Sequence, residues 1–225
     1  MNRSPSLIIS YDGTPNDEDA LILGKRLAPA GFTLALAYVR HAHEFDAGRE
    51  EIAQHDAEQR LARGADLLGD LGIARHVVIS ASTGAGLARL AEAEGASLIV
   101  FGSDYRTAPG HVEPGTSAQH LLDGGSVAVA MAPAGLRTQP DGLIRSIAVP
   151  LAGPKNDVAR SVAAELATGL GASLVDSSSE VDLIVVGSQP DASPGQIVIG
   201  GDVRSELDRA RSSVLVLPAD ASPFL

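Results

Sequence analysis

Two stretches of this chain carry glycines, hydroxyls and carboxylates at a spacing suited to holding an anion. The first runs Gly102-Ser103-Asp104-Tyr105, then nine residues, then Gly115-Thr116. The second runs Gly187-Ser188-Gln189-Pro190, then nine residues, then Gly200-Gly201. An offset of 85 residues maps the anchors of one onto the other. A loop that closes on a helix N-terminus gathers free backbone N–H groups at the positive end of the helix dipole, which suits phosphate. Arg106, inside the first loop, is either a phosphate partner or a solvated loop side chain. Asp12 follows an apolar run and is either a ligand contact or the cap of the next turn.

Other polar groups carry less. His41, His43, Glu44 and Asp46 cluster in a polar stretch; we read a solvated loop, with metal binding as the alternative. His111 and Glu113 read as loop surface, and His55 and His120 as helix positions without chemistry. The acidic runs 17–19 and 50–51 read as complements to helix dipoles. The only lysines are Lys25 and Lys155, so no Walker lysine is present, and there is no Gly-x-Ser-x-Gly or His-Glu-x-x-His. These residues point to binding rather than catalysis.

The elements that position these groups alternate. Residues 7–11 form a short apolar run suited to a central parallel strand. Thr14-Pro15 reads as N-cap and first residue of a helix whose Ala20, Leu23, Leu27 and Ala30 share one face, with Gly31 at its end. Strands are expected over 32–39, 74–80, 97–101 and 126–132, and helices over 50–71, 86–94 and 116–122. Five strands alternating with four helices predict a doubly wound α/β domain with a parallel five-stranded sheet. Ligands in such sheets sit beyond the carboxyl ends of the strands, where the strand order reverses. Asp12 and Gly102 both fall at such ends.

After a polar linker the pattern restarts. Pro154 aligns with Pro15 at an offset of 139, whereas the glycine loops align at 85, so 54 residues are missing from the second copy. We expect a complete domain over 1–135, a linker over 136–142 and a truncated α/β repeat over 143–225. That repeat should hold about three parallel strands, with 172–176 as a loop or frayed edge, because few residues remain for a parallel crossover. Leu151 stands where Asp12 stands in the first copy, and Gly201 replaces Thr116. The second copy therefore reads as a structural relic. The fifth strand of each copy, 126–132 and 213–217, should pack against the other and form an intramolecular pseudo-dimer, which would bury two hazardous edges.

Composition excludes several partner classes. Hydrophobic residues make up 44% and aromatics 3%, so the core is built from small aliphatic side chains. A net charge of −11 disfavours nucleic acid and anionic membrane. Cysteine is absent, which removes disulfides and thiol ligands. With no long apolar segment, the expected location is the cytoplasm.

The run Tyr11-Asp12-Gly13-Thr14-Pro15, together with the spaced glycine loop, resembles the universal stress protein family, whose pattern is Gly-x-x-Gly, nine residues, Gly-Ser/Thr. The resemblance covers 7–133 and, in truncated form, 144–218. It implies an adenine nucleotide alpha hydrolase-like fold with flavodoxin-like layering, a stress-response role and a site for ATP with Mg²⁺. The implied contacts are Asp12, Gly13 and the backbone at Val39 for adenosine. Gly102, Tyr105, Arg106, Gly115 and Thr116 are implied around ribose and phosphates. Tyr105 departs from the family glycine. Its ring either fills the phosphate channel, or stacks on a base, or lies outside; with Pro109 and Pro114 it narrows the loop and argues for weak ATP binding. The alternatives are an interaction protein with a purely structural loop and a slow Mg²⁺-dependent ATP hydrolase using Asp12 or His111. An unknown protein partner and a further homodimer complete the expectations.

Overall fold

The computed structural model describes residues 6–41, 46–150, 157–176, 180–189 and 191–221. Five strands and four helices alternate through the first part: β1 (Leu7–Ser10), α1 (Pro15–Leu27), β2 (Leu34–Arg40), α2 (Ala47–Leu68), β3 (Ala74–Ile79), α3 (Thr83–Glu94), β4 (Leu98–Gly102), α4 (Thr116–Leu122) and β5 (Ala128–Ala132). The rest supplies β6 (Ser146–Ala148), α5 (Asp157–Leu170), β7 (Ser173–Val175), β8 (Leu183–Gly187), α6 (Gly201–Arg209) and β9 (Ser213–Leu217). One nine-stranded sheet runs β3-β2-β1-β4-β5-β9-β8-β6-β7. Every neighbouring pair is parallel except β5 and β9.

Those two fifth strands pair antiparallel, with Ala130 opposite Leu215, as expected from their apolar character. Both are buried throughout, so neither edge meets solvent. One apolar layer, on the face covered by α1, α2 and α5, includes Ile9, Leu23, Leu61 and Leu166. The opposite layer, under α3, α4 and α6, includes Ile99, Leu87, Leu121 and Leu207. No helix among the described residues is long and apolar enough to cross a membrane.

Local chemistry explains the helix starts. Thr14 Oγ1 accepts from Asp17 N–H at 3.4 Å, and Pro15 opens α1 with a preset φ. Asp46 accepts from Gly48 and Arg49 N–H, so α2 starts before the expected residue 50. It ends at Leu68 because Gly69 takes the left-handed conformation (φ 72°), three residues before the expected end at 71. Arg40, buried at the end of β2, pairs with Glu50 of α2 at 2.8 Å.

The described residues of 143–225 hold four parallel strands rather than about three, because 173–175 pairs with β6 as an edge strand. The strand is short, and each of its three residues is exposed. Its connection to β8 crosses β6, and a parallel return along three residues covers only about 10 Å. A strand of three residues therefore asks less of the crossover than one of ordinary length. Leu151, Pro154 and Pro190, and with them part of the sequence alignment between the copies, lie outside the described residues.

The glycine loops carry the same hydrogen bonds at the same offset. Ser103 Oγ donates to Ala132 O at 2.7 Å and accepts from Glu113 N–H at 3.3 Å. Ser188 Oγ donates to Leu217 O at 2.9 Å and accepts from Val198 N–H at 3.2 Å. Each loop also reaches across the sheet centre: Val112 N–H donates to Ala210 O, and Ile197 N–H to Gly125 O. The first glycine loop is therefore braced by the opposite half of the molecule.

Candidate functional site

The strand order reverses between β1 and β4, and a cavity of about 310 Å³ opens at their carboxyl ends. That size falls at the small end of ligand pockets. Asp12, Val39, Gly102, Gly115 and Thr116 all line it, so the structure brings together residues far apart in the chain. The walls also include Tyr11, Asp17, His41, Thr83 and Ser117.

Val39 contributes backbone. Ala37 O accepts from Tyr11 N–H, so odd-numbered residues of β2 face the β1 side. Because β1 ends at Ser10, Val39 presents its peptide groups where no strand lies alongside. His41 stands 3.3 Å from the Thr83 hydroxyl and closes this wall. His43 and Glu44, with which it was grouped as a metal candidate, lie outside the described residues, and Asp46 is committed to capping α2.

The opposite wall is the start of α4. Gly115 is its N-cap, and no side chain caps the helix. A Cβ built on Gly115 would meet nothing nearer than Asp104, at 3.9 Å. The equivalent position in the second loop is closed: a Cβ on Gly200 would lie 2.5 Å from the Gln189 amide nitrogen. Gln189 corresponds to Asp104, so the same loop position stands back in one copy and covers the helix start in the other.

Gly102 owes its type to packing. A Cβ there would overlap the Asn16 carbonyl oxygen, and Asn16 Nδ2 donates to Ser103 O at 2.7 Å. The start of α1 thus rests directly on the end of β4. Gly13, Tyr105 and Arg106 do not line the cavity. Gly13 has φ 91° and turns the chain so that Thr14 N–H donates to Asp12 Oδ1 at 2.9 Å. Tyr105 is 72% exposed, and the Arg106 guanidinium lies 4.9 Å from its ring centroid. The expected narrowing of the channel by this ring is therefore corrected: the ring faces outward. The turn at 104–107, where Asp104 Oδ1 accepts Arg106 N–H and Asp104 O accepts Thr107 N–H, carries both side chains away from the cavity.

The sequence reading missed Asp17, assigned only to the helix dipole. Gly13 and Thr14 fold the chain so that Asp12 N–H donates to Asp17 Oδ2 at 2.7 Å. Burial, then the hydrogen bond to Asp12 and its negative charge, push the Asp17 carboxyl up to about 8. Burial also acts on Asp12, but hydrogen bonds from Asp17 and Thr14, helped by Arg60, outweigh it and hold Asp12 below the usual range. At neutral pH the pair shares one proton, carried by Asp17. The spacing of five residues around a Gly-Thr-Pro turn is the signal that could have revealed the pair.

The raised carboxyl has a pH consequence. Folded protein keeps the Asp17 proton up to about pH 8, while the unfolded chain releases it near pH 4. Stability should fall as pH rises between those values. Asp12 acts oppositely, and only below about pH 4. Asp17→Asn keeps an acceptor and a donor without the titration. Denaturant titrations at pH 5 and pH 8 should find a flatter profile in the variant. At pH 8 it should be more stable than wild type by about 2 kcal/mol, after discounting for solvent screening. An unchanged pH profile would contradict the shared proton.

No family model matches the sequence, and no curated protein is significantly similar to it. Solved structures are similar in fold. A universal stress protein from Archaeoglobus fulgidus superposes with a TM-score of 0.70 at 14% identity, over 98% of this chain and 100% of that one. A functionally unknown protein from Pseudomonas aeruginosa gives 0.57 at 14% identity, over 97% and 94%. A candidate universal stress protein from the same species gives 0.55 at 16% identity, over 97% and 95%. With the doubly wound sheet, the switch-point cavity and the paired fifth strands, these likenesses lead to one conclusion: the chain has the fold of the universal stress proteins.

Proposed function

We propose that the chain is a tandem universal stress protein, with repeats over 1–135 and 143–225 joined by 136–142, whose first repeat binds an adenine nucleotide in a regulatory, stress-response role. One observation carries this reading: Asp12, Val39, Gly102, Gly115 and Thr116 share one cavity at the point where the strand order reverses. The peptide groups of Val39 would read the base edge, and the Asp12 carboxylate would accept from ribose hydroxyls. The N–H groups at the start of α4 and the Thr116 hydroxyl would receive the phosphates. Asp104, whose carboxylate lies beside Gly115, is the residue that would hold Mg²⁺; the ion would offset the phosphate charge, so chelation should weaken ATP binding. His111 does not line the cavity, so of the two water-positioning candidates for a slow hydrolase only Asp12 stands at the site.

The covered helix start at Gly200 supports assigning a single site per chain. Acid extraction of the purified protein followed by nucleotide chromatography tests the reading: adenine nucleotide approaching one equivalent supports it. Its absence, together with a lack of saturable ATP binding, would defeat it. A second reading, in which the loop is purely structural, draws on the hydrogen bonds that Ser103 and Ser188 share. Tyr105→Gly distinguishes positions within the first reading. Because the ring faces outward, affinity for ATP should stay within about twofold, whereas a ring stacked on the base would cost about 1–3 kcal/mol when removed.

A further inference from the structure

A second cavity, of about 550 Å³, lies where the end of β5 meets the approaches to β8 and β9. Arg26, Arg137 and Arg211 all line it, together with Gly110, Asp182 and Ser212. Arg137 is committed, since it donates to Asp19 Oδ2 at 2.8 Å and Asp19 is fully buried. Arg211 is exposed and forms no ion pair among the described residues.

Arg26 is the unusual member. It is only 9% exposed, yet no carboxylate among the described residues lies within ion-pairing distance. One of its donors, Nη2, reaches Gln139 O at 2.5 Å, while Nε is buried without a partner. Asp182 shares the cavity, but its Oδ2 accepts from Arg145 N–H, Ser146 N–H and the Ser146 hydroxyl. Burial lowers the guanidinium pKa from its ordinary value, against the opposing pull of the Asp182 carboxylate, which acts beyond ion-pairing distance. Gly142 leaves space for the group, because a side chain there would collide with it. A buried cation with no carboxylate at ion-pairing distance is costly, and a guanidinium fork matches an oxyanion.

We infer that this cleft is a binding site for a small oxyanion of the phosphate class, held between Arg26 and Arg211. The anion would supply a counter-charge at ion-pairing distance, which Asp182 does not, and the Ser212 hydroxyl would add a donor. It would rest against Pro109 and Gly110, which belong to the loop that ends at Gly115. The inference stands independently of nucleotide binding in the first cavity.

The test uses the full chain and inorganic phosphate, with chloride at matched ionic strength as the control. Arginine Nε–H resonances are followed by ¹⁵N-resolved NMR. The Arg26 Nε–H signal should shift saturably with phosphate and not with chloride. Arg211→Ala, on the surface, should weaken that binding by roughly tenfold. Arg26→Gln should abolish it. No saturable shift of the Arg26 signal up to about 10 mM phosphate would overturn the proposal. So would phosphate binding that persists undiminished in Arg211→Ala, since the anion would then sit elsewhere, as at the start of α4.

Discussion

Gly115→Val is expected to abolish ATP binding while leaving the protein folded. Gly115 has φ −69°, a conformation open to any residue, and the nearest atoms to a built Cβ are those of Asp104 at 3.9 Å. The fold therefore has room for the side chain, and replacing glycine by valine at an N-cap costs stability of about 1 kcal/mol at most. The same side chain would stand over the N–H groups that α4 presents to the cavity. A phosphate held away from those donors loses charge-assisted hydrogen bonds, and affinity should fall by about a hundredfold or more. Gly200→Val is the control. It must push the Gln189 amide aside and will lower stability, but affinity for ATP should not change. Calorimetric titration of both variants decides the matter, and equal losses would contradict a single site in the first repeat.

Gly102→Ala should damage the fold itself. The added methyl would overlap the backbone carbonyl of Asn16, which is anchored by the first turn of α1. Neither partner is a flexible side-chain tip, so α1 and β4 must separate. That separation would break the Asn16–Ser103 hydrogen bond and loosen the floor of the cavity. Overpacking of this kind, with a lost hydrogen bond, should cost about 3 kcal/mol or more. Denaturant unfolding would measure it as a lower midpoint, and a change below about 0.5 kcal/mol would show that the contact is softer than described. The outcome also separates two roles for this glycine: the family resemblance implies phosphate contact, and the geometry adds a packing requirement that holds without ligand.

Much of the architecture was readable from residue order. The apolar runs at β1, β4, β5, β8 and β9 are bounded by glycine or polar turns, and Thr14-Pro15 marks the start of α1 without ambiguity. The repeated loop was readable because a serine follows the first glycine of each: the Ser103 and Ser188 hydroxyls set the same hydrogen bonds to backbone groups despite different neighbours. Three features escaped for physical reasons. Asp17 joins Asp12 only after Gly13 turns the chain, so its role lies in tertiary geometry, not in the helix pattern. Tyr105 points outward because the turn at 104–107, closed by bonds from Arg106 and Thr107 N–H to Asp104, carries the ring away from the cavity. The edge strand at 173–175 was underestimated because a crossover length was judged against a strand of ordinary size.

Calorimetric titration of the wild-type chain with ATP and Mg²⁺, paired with backbone amide NMR, tests the central claim most directly. The account predicts saturable binding at one nucleotide per chain. Amide shifts should concentrate at Asp12, Val39, Gly102 and Gly115 to Ser117, with none at Gly187, Gly200 and Gly201. No saturable heat up to millimolar ATP, or shifts of equal size around Gly200, would contradict it.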